Sequence, residues 1–189
     1  MSALAFDAAL GIVREVAAAH RLDTELLAAP RCHGRVLASD VVAPMALPPF
    51  DNSAMDGYAF RHADLQGSGT GGQGADGLRL AGEQFAGEAT GQVLDAGACI
   101  AITTGAPLPE GADTVAILEV VERTDDRVRI PATAAGANVR RAGEDVAPGD
   151  VVLHAGQVLT PARVALAAAL GIDTLQVVRR PTVAVFTTG

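Results

Sequence analysis

The chain has 189 residues and a formal net charge of −8, with 22 acidic residues against 14 basic ones. This acidity, without a basic stripe interleaved with aromatic residues, argues against a nucleic-acid-binding protein. Apolar residues make up 49% of the chain and aromatic ones only 3%, which predicts a globular protein with aliphatic cores. The first apolar residues follow no basic segment, and no apolar run could cross a membrane, so neither a secretory signal nor an anchor is expected.

The cysteines and histidines show no disulfide or metal-binding pattern. Cys32 and Cys99 lie far apart and outside any Cys-x-x-Cys spacing. This usage predicts reduced, buried cysteines in a cytoplasmic protein. The four histidines also lack ligand spacing, and we expect surface or helix-end roles for them: His20, His33, His62 and His154.

The first 42 residues predict one helix, a helical turn and a strand. Phe6, Leu10 and Val13 recur at steps of three and four residues, which predicts an amphipathic helix over residues 6–19. A short helical turn is expected over residues 23–28, and an extended segment or strand over residues 35–42.

The densest polar stretch is Pro48 to Phe60, with the sequence PPFDNSAMDGYAF. The two prolines stiffen the entry to this stretch, and Asp-Asn-Ser and Asp-Gly are typical of turns. The pattern predicts a braced loop that presents two carboxylates, Asp51 and Asp56. Ordinary turn chemistry without a functional role explains the same residues.

The middle of the chain predicts a loop followed by a β-rich unit. The glycine-rich segment 66–77 buries too little apolar surface to fold, and it lacks the flanking strand and Lys-Ser/Thr of a phosphate cradle. Short β-type runs follow, at residues 78–81, 92–94, 99–103, 114–121 and 128–130.

The last third of the chain predicts a polar segment over residues 138–150, a strand over 151–154 and a helix. Thr160 and Pro161 are typical of a helix start, and Gly171 of its end. The closing run TVAVFTTG reads as the first strand of a parallel α/β domain. Because one strand is not a domain, we expect the natural protein to continue beyond it.

Three polar segments together resemble motifs of the MoeA family, the molybdopterin molybdenumtransferases, which includes the E domain of gephyrin. They are DNSAMDGYA in the opening stretch, ITTGAPLPEGAD from Ile102 and NVRRAGEDV from Asn138, in the family's order and at similar spacing. With GRVLASDVV and the closing run, the resemblance covers nearly the whole chain except the glycine-rich segment.

The resemblance implies an α+β, β-rich fold: a MoeA N-terminal-like two-domain region with an inserted β domain, followed by the first strand of an α/β molybdopterin-binding domain. We therefore predict a discontinuous domain over 1–49 and 138–178, an inserted domain over 50–137, and the truncated α/β domain over 179–189. The family also implies a homodimer with active sites shared between subunits, and a MogA-type adenylyltransferase partner that supplies adenylylated molybdopterin.

The family reaction inserts molybdenum from molybdate into adenylylated molybdopterin, with release of AMP and dependence on a divalent cation such as Mg²⁺. By motif position, the resemblance implies functional roles for Asp56, Thr104 and Asp145, with Asp56 and Asp145 as metal ligands. It implies anion binding by Arg140 and, next to it, Arg141. Secondary positions are Asp51, Asn52, Ser53 and Glu144.

The chemistry of these residues agrees with such roles, although each has a structural alternative. Carboxylates suit Mg²⁺, and arginines suit molybdate or phosphate oxygens. In the structural alternative, Thr104 does no more than stabilise a turn. Glu144 and Asp145 then simply form surface ion pairs with Arg140 and Arg141. The chain departs from the common family pattern at Ala101 and Thr103, where members often carry Arg and Met. It also departs at Ala142, which replaces a third arginine seen in some members.

Two functions follow as hypotheses. The first is the front part of a molybdopterin molybdenumtransferase. The alternative is that the 189-residue chain, without the cofactor-binding domain, is inactive and serves as a non-catalytic dimerisation or interaction module.

Overall fold

The computed structural model describes residues 5–65, 77–87, 91–185 and 187. It contains two helices, α1 (Phe6–Ala19) and α2 (Pro161–Ala169), and short 3₁₀ turns. Its strands in chain order are β1 (Thr24–Ala28), β2 (Val41–Val42), β3 (Asn52–Ser53), β4 (Gly57–Phe60), β5 (Leu78–Gln84), β6 (Ala98–Ile102), β7 (Thr114–Ile117), β8 (Glu122–Thr124), β9 (Arg127–Arg129), β10 (Val139–Arg140), β11 (Val151–Leu153) and β12 (Thr174–Val178).

The chain divides into two compact units, of which one is discontinuous. The terminal unit combines Met1–Pro44 with Asp150–Gly189, and the inserted unit is Met45–Gly149. The inserted unit is thus wider than the predicted range 50–137. The physical reason is local pairing: Leu47 bridges to Val146, and β3 pairs with β10.

The terminal unit is built on the antiparallel pair of β1 and β12, with Thr24 opposite Val178. The predicted helical turn over 23–28 is wrong, because this segment is β1: alternate side chains are partly buried, and its backbone pairs with a strand that the sequence analysis missed. Leu37, Leu159, Leu175 and Val177 form the buried core with other small apolar residues.

Both predicted helices are present. α1 has the predicted range, but none of its residues is buried among the described residues, and Phe6 and Val13 of its apolar stripe are 78% and 63% exposed. At the start of α2, the Thr160 hydroxyl accepts a hydrogen bond from the Arg163 N–H at 3.4 Å. The closing run has no helix or strand in its described part, residues 182–185 and 187, and the truncated α/β domain stays a prediction.

The inserted unit contains, besides the pair of β3 and β10, a six-stranded mixed sheet with the strand order β7-β4-β6-β5-β9-β8. β5 and β6 run parallel, and the other neighbours are antiparallel. The predicted runs at 78–81, 99–103 and 128–130 fall on strands, while residues 114–121 divide into β7 and a 3₁₀ turn. Residues 92–94 form no strand, only a bridge between Val93 and Glu110. The predicted glycine-rich loop lies outside the described residues except for Gly77.

Strand β4 lies between β7 and β6 in this sheet and follows directly from the polar stretch. All four of its residues are buried, with Tyr58 and Phe60 in the core on one face of the sheet and Ala59 in the core on the other. Gly57 is required by packing, since a Cβ there would lie 1.9 Å from the Ala116 carbonyl oxygen. A fully buried strand with neighbours on both sides therefore fixes the position of Asp56. No described helix meets the length and hydropathy of a membrane span.

Candidate functional site

The loop between β3 and β4 is locked by its own hydrogen bonds. Ser53 is 1% exposed, and its hydroxyl donates to the Met55 carbonyl at 2.5 Å and accepts from the Met55 N–H at 3.3 Å. On the far side of the loop, the Leu118 N–H donates to the Asp56 carbonyl at 3.0 Å. These contacts hold the Asp56 side chain at the rim of the sheet.

Asp56 and Thr104 form a hydrogen-bonded pair. The Thr104 N–H and hydroxyl both donate to Oδ1 of Asp56, at 2.7 and 2.8 Å. These bonds, first the backbone one, hold the pKa of the Asp56 carboxyl below its ordinary value because they stabilise the ionised form. Asp56 is therefore a surface carboxylate whose only described partners are neutral donors, and it keeps its negative charge.

A second set of predicted residues forms what we call the ion-pair cluster: Asp51, Arg140, Arg141, Glu144 and Asp145. Arg140 donates from Nε to Glu144 at 2.5 Å and from Nη2 to Asp145 at 2.6 Å. Arg141 donates from Nη1 to Asp51 at 2.6 Å. Two backbone N–H groups complete the cluster, that of Arg141 to Glu144 at 2.9 Å and that of Ala142 to Asp51 at 2.8 Å.

The electrostatics of the cluster follow from these bonds. Arg140 lowers the pKa of Glu144, and the two carboxylates beside Arg140 raise the pKa of its guanidinium. The Ala142 N–H, followed by Arg141, lowers the pKa of Asp51. Three carboxylates face two guanidinium groups, so the cluster carries a net negative charge. A guanidinium has five N–H donors, which leaves donors on both arginines for a ligand.

Strand β3 lies between the pair and the cluster. Asn52 of β3 is opposite Arg140 of β10, and the Ser53 carbonyl accepts the Gly105 N–H at 2.8 Å, next to Thr104. Among the described residues, no hydrogen bond joins the pair to the cluster. Asn52 and Ser53 are 6% and 1% exposed, which makes them supports for both groups of side chains rather than accessible ligands.

A cleft of about 230 Å³ opens beside Asp56. Three of its lining residues were not predicted from the sequence: Glu83, Phe85 and Leu118. Glu83 is in β5, and β6 separates that strand from β4. The alternation in LRLAGEQF indicates that Glu83 and Phe85 share one face, but only the sheet order places that face near Asp56.

The arrangement of these carboxylates bears on whether a magnesium ion fits the site. No group of three or more His, Cys, Asp or Glu side chains is placed to hold a metal within the part of the chain that the structure describes. Mg²⁺, however, often binds through one or two carboxylates, waters and substrate phosphates. Asp56 and the Thr104 hydroxyl fit such an open site. Asp145 is paired with Arg140, and shared ligation by Asp56 and Asp145 stays a prediction.

Comparison with known proteins gives a family match over most of the chain. A family model described as the MoeA N-terminal region (domain I and II) matches residues 4–171. Two relatives are examples. The chain is 46% identical over 160 residues to molybdopterin molybdenumtransferase 2 of Mycobacterium tuberculosis (strain H37Rv). It is 41% identical over 170 residues to molybdopterin molybdenumtransferase of Haemophilus influenzae. The matches cover 84% and 88% of this chain but only 39% and 40% of those proteins.

Solved structures give the same result. The chain is similar to two structures titled molybdopterin biosynthesis MoeA protein from Pyrococcus horikoshii. The TM-scores are 0.75 at 37% identity and 0.77 at 31% identity. The matches cover 84% and 91% of this chain, and 42% and 44% of those chains. The chain thus spans about two fifths of the length of the proteins that it matches.

Proposed function

The chain belongs to the MoeA family, and from this premise we propose that it provides the front domains of a molybdopterin molybdenumtransferase in molybdenum cofactor biosynthesis. The proposed reaction inserts molybdenum from molybdate into adenylylated molybdopterin and releases AMP. The observation that carries the proposal is the Asp56–Thr104 pair, a carboxylate kept ionised by neutral donors at the edge of an open cleft.

The role proposed for the pair is to hold a divalent cation. Both substrates are anions, and the chain has a net charge of −8, so their approach needs local positive charge. Magnesium bound at Asp56 would supply that charge to phosphate or molybdate oxygens. Thr104 fixes the orientation of the carboxylate through Oδ1.

The role proposed for Arg140 and Arg141 is to orient an oxyanion. Their guanidinium planes are already fixed by Glu144, Asp145 and Asp51, so little side-chain freedom would be lost on binding. The remaining N–H donors suit molybdate or phosphate oxygens. Asp145 and Glu144 then act by positioning Arg140, with Asp145 also proposed as a second metal ligand.

The wider proposal includes partners and location. A second copy of the protein would complete the site in a homodimer, and a MogA-type adenylyltransferase would supply adenylylated molybdopterin in the cytoplasm. The support for these points is membership of the family.

The test is the substitution Asp56→Asn in the complete protein, assayed for molybdate-dependent insertion with Mg²⁺. We expect activity to fall at least about 100-fold, with little change in Tm because the side chain is on the surface. Asp95→Asn is the matched control, since Asp95 is an exposed aspartate of the same unit that lies outside both groups.

Full insertion activity in Asp56→Asn would refute the proposed role. The same assay on the 189-residue chain tests the alternative of a non-catalytic interaction module, because turnover by this chain alone would contradict that alternative.

A further inference from the structure

Asn138 lies where the chain passes from the outer edge of β7 to β3. Its φ of +57° is in the left-handed region, which non-glycine residues rarely adopt and which asparagine tolerates better than most. Asn138 directly precedes β10, so Arg140 of the ion-pair cluster follows two residues later. The proposed roles of the segment that begins at Asn138 fall on its charged residues and do not explain this asparagine.

The side chain of Asn138 completes the outer edge of β7. Val115 of this strand is fully buried. Its N–H donates to the Ala137 carbonyl at 3.0 Å, and its carbonyl accepts a hydrogen bond from Nδ2 of Asn138 at 2.9 Å. The amide of Asn138 thus takes the place of the backbone N–H that a further strand would provide. A buried carbonyl that lost this donor would be costly, so the contact holds Asn138 against β7.

The backbone of Asn138 holds the loop that carries Asp56. Its carbonyl accepts the Ala54 N–H at 2.9 Å, which extends the pairing of β3 with β10 by one residue. The Leu118 N–H holds the other end of the loop, at the Asp56 carbonyl. The start of the loop is therefore fixed by Asn138 and its end by the segment that follows β7.

Asn138 is thus a junction of three elements. Its side chain is bonded to β7, its carbonyl to the loop of Asp56, and its peptide chain continues into β10. The left-handed conformation falls where the chain changes direction, between Ala137 beside β7 and Val139, which pairs with β3. A change at this junction reaches the Asp56 loop and Arg140 at the same time.

We propose that Asn138 is a positioning residue that fixes the Asp56–Thr104 pair and Arg140 relative to each other, with its amide anchored on β7. It acts through the loop and through β10 rather than by contact with a substrate. This inference rests on the proposed function, since it assigns to Asn138 the alignment of the cation site with the oxyanion donors. Loosening Asn138 should therefore disturb both polar groups together, although no described hydrogen bond joins them.

Amide hydrogen exchange of the 189-residue chain, followed by NMR, tests this positioning without turnover. The Thr104 N–H donates to Asp56 in the pair, and the Ala142 N–H donates to Asp51 in the cluster, so these two amides report on the two groups. Asn138→Gly removes the side-chain donor, while glycine still permits the left-handed backbone. We expect exchange of both amides to become about tenfold faster.

Two matched controls separate positioning from other effects of the substitution. Asp125 has a φ of +51° at the turn between β8 and β9, so Asp125→Gly controls for glycine at a left-handed position. Val128 is buried in the sheet core and lies outside both groups, so Val128→Ala controls for a general loss of stability. Neither control should change the exchange of the Thr104 or Ala142 amide.

Kinetics of the complete protein provide a second readout that a merely structural role would not move. Asn138→Gly should lower kcat for insertion about tenfold and change KM for molybdate less. Because Arg140 would then be poorly aligned, Arg140→Ala should lower kcat by a smaller factor in the Asn138→Gly background than in the unchanged protein. A loss of folded protein alone would leave that factor the same.

Unchanged exchange of either amide in folded Asn138→Gly would overturn the inference, and so would an equal acceleration in Val128→Ala. An undiminished effect of Arg140→Ala in the Asn138→Gly background would also overturn it. The proposed function fails separately, if the complete protein inserts no molybdenum, and the exchange measurement does not depend on that result.

Discussion

The two polar groups on either side of β3 differ in how their charges are balanced. At the Asp56–Thr104 pair, a carboxylate is held by a backbone N–H and a hydroxyl, and its charge has no counterion among the described residues. In the ion-pair cluster, every acidic side chain accepts a hydrogen bond from an arginine side chain. The pair therefore has an unpaired negative charge among the described residues, and the cluster has N–H donors in fixed positions.

This difference teaches how an acidic protein can handle an anion. Under the proposed function, the carboxylate of the pair would bind a cation, and the bound cation would attract the oxyanion. The cluster has a net negative charge and therefore attracts an anion poorly, but its arginines present N–H donors in fixed positions. We therefore expect the pair to control metal-dependent binding and the cluster to control orientation.

The largest effect, on the free energy of unfolding, is expected for Gly57→Ala, because this substitution disrupts the strand that positions Asp56. The new Cβ would lie 1.9 Å from the Ala116 carbonyl oxygen, which belongs to the neighbouring strand β7. The strand must shift, and we expect a loss of about 3 kcal/mol or more in the free energy of unfolding. Chemical denaturation measures this loss. Gly87→Ala is the control for an alanine at a glycine with open space, although its φ of +85° adds strain; equal stability losses would contradict the packing explanation.

A smaller effect, on activity rather than stability, is expected for Arg140→Ala in the complete protein. Loss of charge-assisted donors to the oxyanion should lower insertion about 10- to 100-fold, mainly through kcat if the arginine orients the substrate. Tm should change little because the ion pairs are exposed. Arg123→Ala, at an exposed arginine of β8, provides the control, and unaltered kcat in Arg140→Ala would show that the cluster is only a surface network.

The smallest effect is expected for Thr104→Val, which removes one of the two donors to Asp56. Insertion should fall about 3- to 10-fold, and the pKa of Asp56 should rise towards its ordinary value, as NMR titration of the carboxyl carbon would show. The depressed pKa of Asp56 in the folded chain stabilises the fold at neutral pH, and this contribution is lost as the pH falls through that pKa. The variant should therefore lose less stability on acidification. An Asp56 pKa that is the same in Thr104→Val as in the unchanged chain would contradict the hydrogen bond from the Thr104 hydroxyl.

The sequence predicted the parts of the fold that local patterns determine. The helix stripe gave the range of α1, and Thr160-Pro161 gave the start of α2. The strand β1 was missed because TELLA has no clear alternation of polar and apolar residues, and only pairing with β12 makes it a strand. β4 was missed since its four residues directly follow turn residues, and its burial depends on the strands on both sides.

The sequence predicted which residues belong to the candidate site, but not which of them contact one another. The motifs indicated Asp56, Thr104, Arg140 and Asp145, yet nothing in the spacing of 48 residues between Asp56 and Thr104 predicts that they share a hydrogen bond. The Asp56–Thr104 contact depends on how β3 pairs with residues 104–106, where the Gly105 N–H donates to the Ser53 carbonyl. Glu83 and Phe85 had no motif at all, because only the order of the sheet brings them to Asp56.

Isothermal titration calorimetry of molybdate binding to the complete protein, with and without Mg²⁺, tests the division between the pair and the cluster most directly. The account predicts molybdate binding that depends on Mg²⁺ and is lost in Asp56→Asn, while Asp95→Asn binds normally. Molybdate binding that is unaffected both by removal of Mg²⁺ and by Asp56→Asn would contradict it.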